Sequence, residues 1–155
     1  MAVEIERKFL LASDEWRQAV YQSVPMRQGY LSRNETYSIR VRTANGQAWL
    51  NIKKAEVGAQ RDEYEYPIPL ADAEQMLNSC DRQSLIEKKR HYVRYGSHTW
   101  EIDEFDGANQ GLVVAEVELQ HADESFERAG WLGEEVTDDL RYYNTSLARK
   151  PYQNW

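Results

Sequence analysis

The sequence predicts an α+β protein of mostly β structure, in which about eight antiparallel strands close into a barrel with a few helices packed outside. Three observations predict it: segments of alternating character recur along the chain, turn signals separate them, and their polar positions carry both signs of charge. Side chains alternate across a strand, so each segment has one apolar face and one charged face.

The first strand, Val3–Leu11, sets the pattern, because Glu4, Glu6 and Lys8 fall on one face and mostly apolar side chains on the other. Ala44-Asn45-Gly46 is typical of a hairpin turn. The later strands with this alternation are predicted over Gln28–Leu31, Tyr37–Thr43, Trp49–Lys54, Asp62–Ile68, Leu85–Tyr95, Thr99–Phe105 and Leu112–Leu119. Helices are predicted from Ser13 or Asp14 to about Val24, over Leu70–Cys80, over Phe126–Leu132, and after Asn144.

Size and composition narrow the class of protein. A chain of 155 residues without a linker or a repeat predicts one domain, residues 1–155. Its net charge of −7 argues against general binding to nucleic acid or to a membrane surface. Cys80 is the only cysteine, so no intrachain disulfide can form. No signal-peptide core or membrane span is evident, and we expect a cytoplasmic protein.

The charged faces of the strands can point outward or inward. Pointing outward, they give an ordinary barrel with an apolar interior and a charged surface. Pointing inward, they leave the apolar outer faces to pack against the helices, and they require a water-filled tunnel with a charged ligand, because unpaired buried charge is costly. We favour the second arrangement because both signs of charge recur in strand after strand.

The two sets of charge indicate the ligand. Carboxylates paired at i, i+2 on a strand suit Mg²⁺ or Mn²⁺, which take oxygen ligands. Arginine and lysine suit phosphate oxygens. The sequence has no Walker phosphate loop, so side chains on strands must hold any phosphate. A chain of phosphates with a bridging divalent metal ion satisfies both sets.

The segment Glu4-Ile-Glu6-Arg-Lys8 resembles the ExExK signature of the CYTH superfamily, the triphosphate tunnel metalloenzymes. The resemblance covers essentially the whole chain, including Glu135-Val-Thr and Tyr143-Asn144. It implies an eight-stranded antiparallel tunnel and divalent-metal-dependent chemistry on triphosphates. The later positions in the family's order are Arg40, Arg42, Lys53, Glu63, Glu65, Lys88, Arg90, Asp103, Glu116 and Glu118.

The resemblance implies a role for each of these residues. Lys8 is either a phosphate clamp or part of the group that activates water, with Tyr30 as a partner. Glu63 or Glu65 is the alternative base. The expected ligands of Mg²⁺ or Mn²⁺ are Glu4, Glu6, Asp103, Glu116 and Glu118. The expected phosphate-binding residues are Arg40, Arg42, Lys53, Lys88 and Arg90, and the opposing interpretation is an interior network of ion pairs among all these charges.

The expected activity is metal-dependent hydrolysis of a linear triphosphate, with inorganic tripolyphosphate as the first choice. The compact chain, the Gln28-Gly29-Tyr30-Leu31 stretch and the Asp103-Glu104-Phe105 strand resemble small bacterial-type members of the family. Thiamine triphosphate hydrolysis or a class IV type of adenylate cyclase is the alternative. A non-catalytic polyphosphate-binding module is the second alternative, and the sequence makes no prediction about oligomeric state.

Overall fold

The strands form one closed antiparallel barrel. The computed structural model describes residues 2–54 and 57–155. Its strands are β1 (Ala2–Leu11), β2 (Val20–Arg33), β3 (Tyr37–Ala44), β4 (Gln47–Lys54), β5 (Gln60–Ile68), β6 (Ile86–Tyr95), β7 (His98–Phe105), β8 (Val113–Glu118) and β9 (Leu132–Glu135). Its α-helices are α1 (Leu70–Asn78) and α2 (Asn144–Arg149).

The strands follow one another in the order β5-β4-β3-β2-β6-β7-β8-β1, and a pairing of β5 with β1 closes the circle. The ninth strand, β9, pairs with β1. The predicted barrel of eight strands with helices added is therefore confirmed, with one extra strand. Among the described residues, no helix is long and apolar enough to cross a membrane.

The predicted hairpin turn joins β3 to β4. Asn45 and Gly46 both adopt positive φ, at 52° and 74°. A two-residue turn with positive φ at both positions matches the twist of the flanking strands, and it favours asparagine followed by glycine. This turn fixes the register of β3 on β4, in which Arg40 lies opposite Asn51.

The helix predicted from Ser13 or Asp14 to Val24 is wrong. Only Glu15–Ala19 is helical, as a short 3-10 segment, and the chain then enters β2 at Val20. Residues 20–25 pair with β6, and this tertiary pairing overrides the local helical spacing. Pro25 is tolerated because the pairing of β2 with β3 begins at the next residue, so Pro25 has a strand neighbour on one side only.

The helix predicted over Phe126–Leu132 is also wrong, since this segment has no helical residue. Its aromatic side chains lie against the outside of the barrel, where the Phe126 ring contacts Trp100 edge to face at 5.8 Å between centroids. Gly133 lies within β9, where a Cβ atom would approach the Leu10 carbonyl oxygen to 3.1 Å. The predicted helix over Leu70–Cys80 is confirmed as α1, and the one after Asn144 as α2.

The apolar faces of the strands pack outside the barrel. Val41 and Ala48 lie under Ala73 and Leu77 of α1. A larger cluster joins strand residues to two tryptophans from outside the strands, and it includes Phe9, Trp16, Val93, Trp100, Ile102, Val117 and Trp131. Burying such side chains contributes roughly 1.5–3 kcal/mol each. The charged faces of the strands are thereby left to the interior.

One end of the barrel is closed by the C-terminal segment. Leu147 of α2 is fully buried, and it packs in one cluster with Phe105 and Val114 of the barrel strands. Tyr143, Asn144 and Thr145 line the cavity inside the barrel. The start of α2 therefore forms the floor of that cavity.

Candidate functional site

A charged cavity of about 320 Å³ lies inside the barrel. Strand alternation brings the predicted site residues of β1, β3, β4, β5 and β8 to it. The predicted residues that line it are Glu4, Glu6, Lys8, Tyr30, Arg40, Arg42, Lys53, Glu63, Glu65, Arg90, Glu116 and Glu118. Lys88 and Asp103 are not among its lining residues, and they lie fully buried behind it.

One wall of the cavity carries carboxylates from β1 and β8. The register of these strands sets Glu6 opposite Glu118 and Lys8 opposite Glu116. Burial, together with the nearby Glu116 and Glu4 carboxylates, raises the pKa of Glu6 well above its ordinary value. Acidic groups that converge in a buried position resist ionisation unless a cation neutralises them.

Three cationic side chains pair with the carboxylates of this wall. Lys53 Nζ lies 3.0 Å from Glu4 Oε2, and Lys8 Nζ lies 3.6 Å from Glu116 Oε1. Burial opposes the charged form of Glu4, but Lys53 and its other partners outweigh it and lower the pKa of Glu4. The third cation, Arg61, lies 3.3 Å from Glu6 Oε1 and was not predicted as a site residue.

A second wall carries arginines from β3. Arg40 is 5% exposed, and Arg42 lies 3.5 Å from Glu65 Oε2. The Nε atoms of both arginines are buried and have no hydrogen-bond partner. Buried donors of this kind are costly to leave unsatisfied, so this wall offers hydrogen bonds to an anionic ligand.

Glu63 and Glu65 are held by a buried amide on β4. Asn51 Nδ2 donates to Glu63 Oε1 at 3.2 Å and to Glu65 Oε2 at 2.7 Å. Burial raises the pKa of Glu63 to about 7, and a hydrogen bond with Glu4 contributes to the shift. The two carboxyl groups that the sequence could not tell apart thus share one anchor but differ in environment.

Asp103 is the shared partner of two cations, Lys88 and Arg90. Its carboxylate accepts hydrogen bonds from Lys88 Nζ at 2.7 Å and from Arg90 Nε and Nη2 at 2.8 and 2.9 Å. Burial opposes its ionisation, but Arg90 and Lys88 outweigh burial and lower the pKa of Asp103. Burial lowers the pKa of Lys88 to about 8, and the Asp103 carboxylate partly offsets this by favouring the charged form. This arrangement fixes the Arg90 guanidinium at the cavity surface.

Lys8 and Tyr30 occupy the floor region. Lys8 Nζ donates to the Tyr142 carbonyl oxygen at 3.1 Å, and it lies 5.0 Å from the centre of the Tyr143 ring. Burial raises the pKa of the Tyr30 hydroxyl, and Arg40 only partly offsets this. Lys8 thus connects the carboxylate wall to the segment that closes the barrel.

Several residues that line the cavity were not predicted as site residues from the sequence. Arg61 precedes Glu63 by two positions and shares its face, but the strand was predicted to begin at Asp62 instead of Gln60. Glu101 was given no role from the sequence, and it lines the cavity. The alternation of β5 was the signal for Arg61, whereas no sequence signal places Tyr143 and Asn144 on the cavity floor.

The chemistry of the donor set fits a divalent cation. Glu4, Glu6, Glu116 and Glu118 supply carboxylate oxygens from two adjacent strands, which hard cations prefer. Within residues 2–54 and 57–155, no group of three or more His, Cys, Asp or Glu side chains is arranged to hold a metal ion as it stands. Lys53, Arg61 and Lys8 instead pair with these carboxylates, and a bound metal ion would have to displace them.

A closed antiparallel barrel with carboxylates on one interior wall and arginines on another defines a class of charge-lined β-tunnel proteins. The CYTH domain profile matches residues 2–152, and the chain belongs to this family. The family indicated by the resemblance of residues 4–8 to the ExExK signature is thus confirmed.

The chain is similar to named relatives over 94% to 100% of its length. An inorganic triphosphatase of Acetivibrio thermocellus is 40% identical over 155 residues, which make up 100% of this chain and 99% of that protein. An inorganic triphosphatase of Nitrosomonas europaea is 36% identical over 149 residues, covering 94% of this chain and 96% of that protein. A crystal structure of an inorganic triphosphatase superposes with a TM-score of 0.70 at 33% identity, covering 94% of this chain and 97% of the other.

Proposed function

We propose that this protein hydrolyses inorganic tripolyphosphate to diphosphate and phosphate with the help of a divalent metal ion, Mg²⁺ or Mn²⁺. The observation that carries the proposal is the cavity itself, in which the Glu6 and Glu118 carboxylates and the Arg40 and Arg42 guanidiniums line one enclosed space. A chain of phosphates with a bound divalent cation needs both sets of charge. The activity named for the two full-length relatives supports the same substrate class.

The proposed metal ligands are Glu4, Glu6, Glu116 and Glu118. A divalent ion bound there would offset phosphate charge and polarise a phosphoanhydride bond. For Asp103, its three hydrogen bonds with Lys88 and Arg90 favour a positioning role over direct ligation. Lys88 and Asp103 would then act through Arg90, which lines the cavity.

The phosphate chain is proposed to lie along Arg40, Arg42, Lys53 and Arg90. The unpaired Nε atoms of Arg40 and Arg42 support this placement, because a phosphate oxygen would satisfy them. Fixed positive charges at this wall would stabilise the negative charge that develops on the oxygen atoms during phosphoryl transfer. The closed end at Tyr143 would limit how far a linear substrate enters.

Water activation is proposed for the Glu63 and Glu65 pair or for Lys8. Asn51 orients both carboxylates, and Arg42 lies 3.5 Å from Glu65, which supports a defined role for the pair beside the arginines of β3. Tyr30 is less suited to this role, since its raised pKa keeps the hydroxyl protonated at neutral pH. A hydrogen bond donated by the Tyr30 hydroxyl to the substrate agrees better with its burial.

The lining favours a substrate without an organic group. Among the described residues, the only aromatic rings on the cavity surface are those of Tyr30 and Tyr143, and the rest of the lining is charged or polar. Thiamine triphosphate and ATP carry flat apolar rings for which this surface offers little contact area. A module that only binds polyphosphate is disfavoured too, because the four carboxylates would repel its ligand.

The experiment that tests the proposal is release of phosphate from tripolyphosphate by the purified protein, with Mg²⁺, Mn²⁺ or a chelator. We expect turnover with metal and none with chelator. Glu6→Gln and Arg40→Ala serve as site variants, and Arg128→Ala, a surface arginine on the outside of the barrel, serves as the control. Binding of tripolyphosphate without turnover under every metal condition would contradict an enzymatic role.

A further inference from the structure

Arg61 bridges two of the proposed metal ligands. Its Nη2 atom lies 3.3 Å from Glu6 Oε1 and 3.5 Å from Glu4 Oε1. Its side chain is only 15% exposed and lines the cavity. One guanidinium group therefore lies against oxygen atoms from two of the four residues that would hold a divalent cation.

A rigid surface lies beside the Arg61 guanidinium. The centre of the Tyr143 ring is 5.0 Å from Arg61 Cζ, close enough for a cation–π contact. The Tyr143 hydroxyl donates to the Thr137 carbonyl oxygen at 3.0 Å and accepts a hydrogen bond from the Gly58 backbone N–H at 3.0 Å. Since these bonds fix the ring, Arg61 can rotate over a surface that stays in place.

Arg61 also has a hydrogen-bond donor without a partner. Its Nε atom is buried and has no hydrogen-bond partner. A planar guanidinium with free donors is well matched to phosphate oxygens, which it can contact in pairs. The side chain is thus able to bind a triphosphate without first losing every existing contact.

The charges at this point oppose a metal ion that arrives alone. A divalent cation on Glu4 and Glu6 would be repelled by Arg61, and by Lys53 on the same carboxylate. A triphosphate that enters with the metal ion supplies negative charge, and it can accept the hydrogen bonds that Arg61 gives up. The same ion would therefore bind more tightly in the presence of the phosphate chain.

From this geometry we infer that Arg61 is a positioning residue that makes metal binding depend on the triphosphate. It holds Glu4 and Glu6 before substrate arrives, and it transfers its hydrogen bonds to phosphate when metal and substrate bind together. The inference rests on the proposed function, since it takes these carboxylates as metal ligands. It extends that function by assigning the coupling between metal and substrate to one side chain.

The test measures Mn²⁺ affinity without turnover, by electron paramagnetic resonance of free Mn²⁺, with and without a non-hydrolysable imido analogue of tripolyphosphate. Arg61→Gln and Arg61→Met should bind Mn²⁺ alone at least roughly tenfold more tightly than the wild type, because a repelling charge is gone. The analogue should then improve Mn²⁺ binding by a smaller factor than in the wild type. Arg61→Lys keeps the charge and should remain close to the wild type.

Arg17→Gln is the matched control. Arg17 also pairs with a carboxylate, Glu104, and lies over an aromatic ring, that of Trp16 at 4.4 Å, but it does so outside the barrel. Its loss should leave Mn²⁺ affinity unchanged. Equal or weaker Mn²⁺ binding by Arg61→Gln and Arg61→Met would overturn the inference, because a purely structural arginine gives that result.

If Arg61→Gln and Arg61→Met both fail to fold, the wild type alone still tests the inference. Its Mn²⁺ affinity must then rise at least roughly tenfold when the analogue is added, and equal affinities would overturn the inference. Failure of the proposed function looks different, since the wild type would bind no Mn²⁺ in either condition and would not hydrolyse tripolyphosphate. Normal metal-dependent hydrolysis with unchanged Mn²⁺ affinity in the variants would contradict the role of Arg61 alone.

Discussion

Lys88 Nζ lies 2.7 Å from Asp103 Oδ2, and both side chains are fully buried behind the cavity wall. Arg90, which also pairs with Glu101, donates two further hydrogen bonds to the same carboxylate, so Lys88 and Arg90 share Asp103 as a buried partner. Asp103→Asn should therefore lower the free energy of unfolding by about 3–5 kcal/mol, the usual cost of breaking a buried pair on one side. Urea denaturation followed by circular dichroism measures this change.

The neighbouring Glu104→Gln variant is the control for the Asp103 prediction. Glu104 lies on the other face of β7, where it pairs with Arg17 at a partly exposed position. Exposed pairs contribute about 0–1 kcal/mol, so this variant should remain much more stable than Asp103→Asn. Equal stability of the two variants would contradict the compensating role given to Asp103.

The arginines on β3 are expected to bind the phosphate groups of the substrate. Arg40→Ala or Arg42→Ala removes charge-assisted hydrogen bonds from the proposed phosphate-binding wall. We expect kcat/KM for tripolyphosphate to fall by roughly 30- to 1,000-fold, which corresponds to about 2–4 kcal/mol. Steady-state kinetics at saturating Mg²⁺ provides the measurement, with Arg128→Ala as the control on the outer surface. An unchanged kcat/KM for both variants would show that these side chains do not contact the reacting phosphates.

The carboxylates of β1 and β8 are expected to bind the metal ion. Glu6→Gln and Glu118→Gln keep side-chain size but remove charge from an oxygen site that a hard cation requires. The Mg²⁺ concentration for half-maximal activity should rise by at least roughly tenfold in each, as it does when groups that support a metal site are lost. Glu87→Gln on the exposed face of β6 should leave it unchanged. A Mg²⁺ requirement equal to that of the wild type would remove these residues from the metal site.

Acid should weaken one contact on the outside of the barrel. Hydrogen bonds from Arg17, and a further one with His91, lower the pKa of Glu104 from 4.5 to about 2. A group whose pKa is lowered by folding stabilises the native state above its ordinary pKa, and this stabilisation is lost as pH falls toward the lowered value. The Tm difference between wild type and Glu104→Gln should thus be largest above about pH 5 and shrink as pH falls to about 2. A difference that is constant with pH would contradict this.

Much of the barrel was predictable because alternation is a local property. Glu4, Glu6 and Lys8 take their common face from a period of two, and the register of β1 on β8 then sets them against Glu118 and Glu116. The inward direction of these charges followed from the need to cover the apolar faces. The common face of these residues was therefore predictable from local alternation, whereas their register against β8 is set by a contact between distant parts of the chain.

The errors arose where distant contacts override local preference. Helical spacing around Val20 was outweighed by pairing of β2 with β6, and the segment around Phe126 was drawn into an aromatic cluster with Trp100. Arg61 was missed because the start of β5 depends on its pairing with β1. No local pattern indicates that the segment around Tyr143 forms the floor of the cavity.

The most direct test of the central claim is a comparison of kcat/KM for tripolyphosphate, thiamine triphosphate and ATP under one Mg²⁺ condition, with products identified by phosphorus NMR. If the cavity recognises only phosphate and metal, tripolyphosphate should be cleaved to diphosphate and phosphate. Its kcat/KM should be at least roughly tenfold higher than that of either organic triphosphate. Comparable efficiencies, or cyclic AMP as the main product from ATP, would contradict the account.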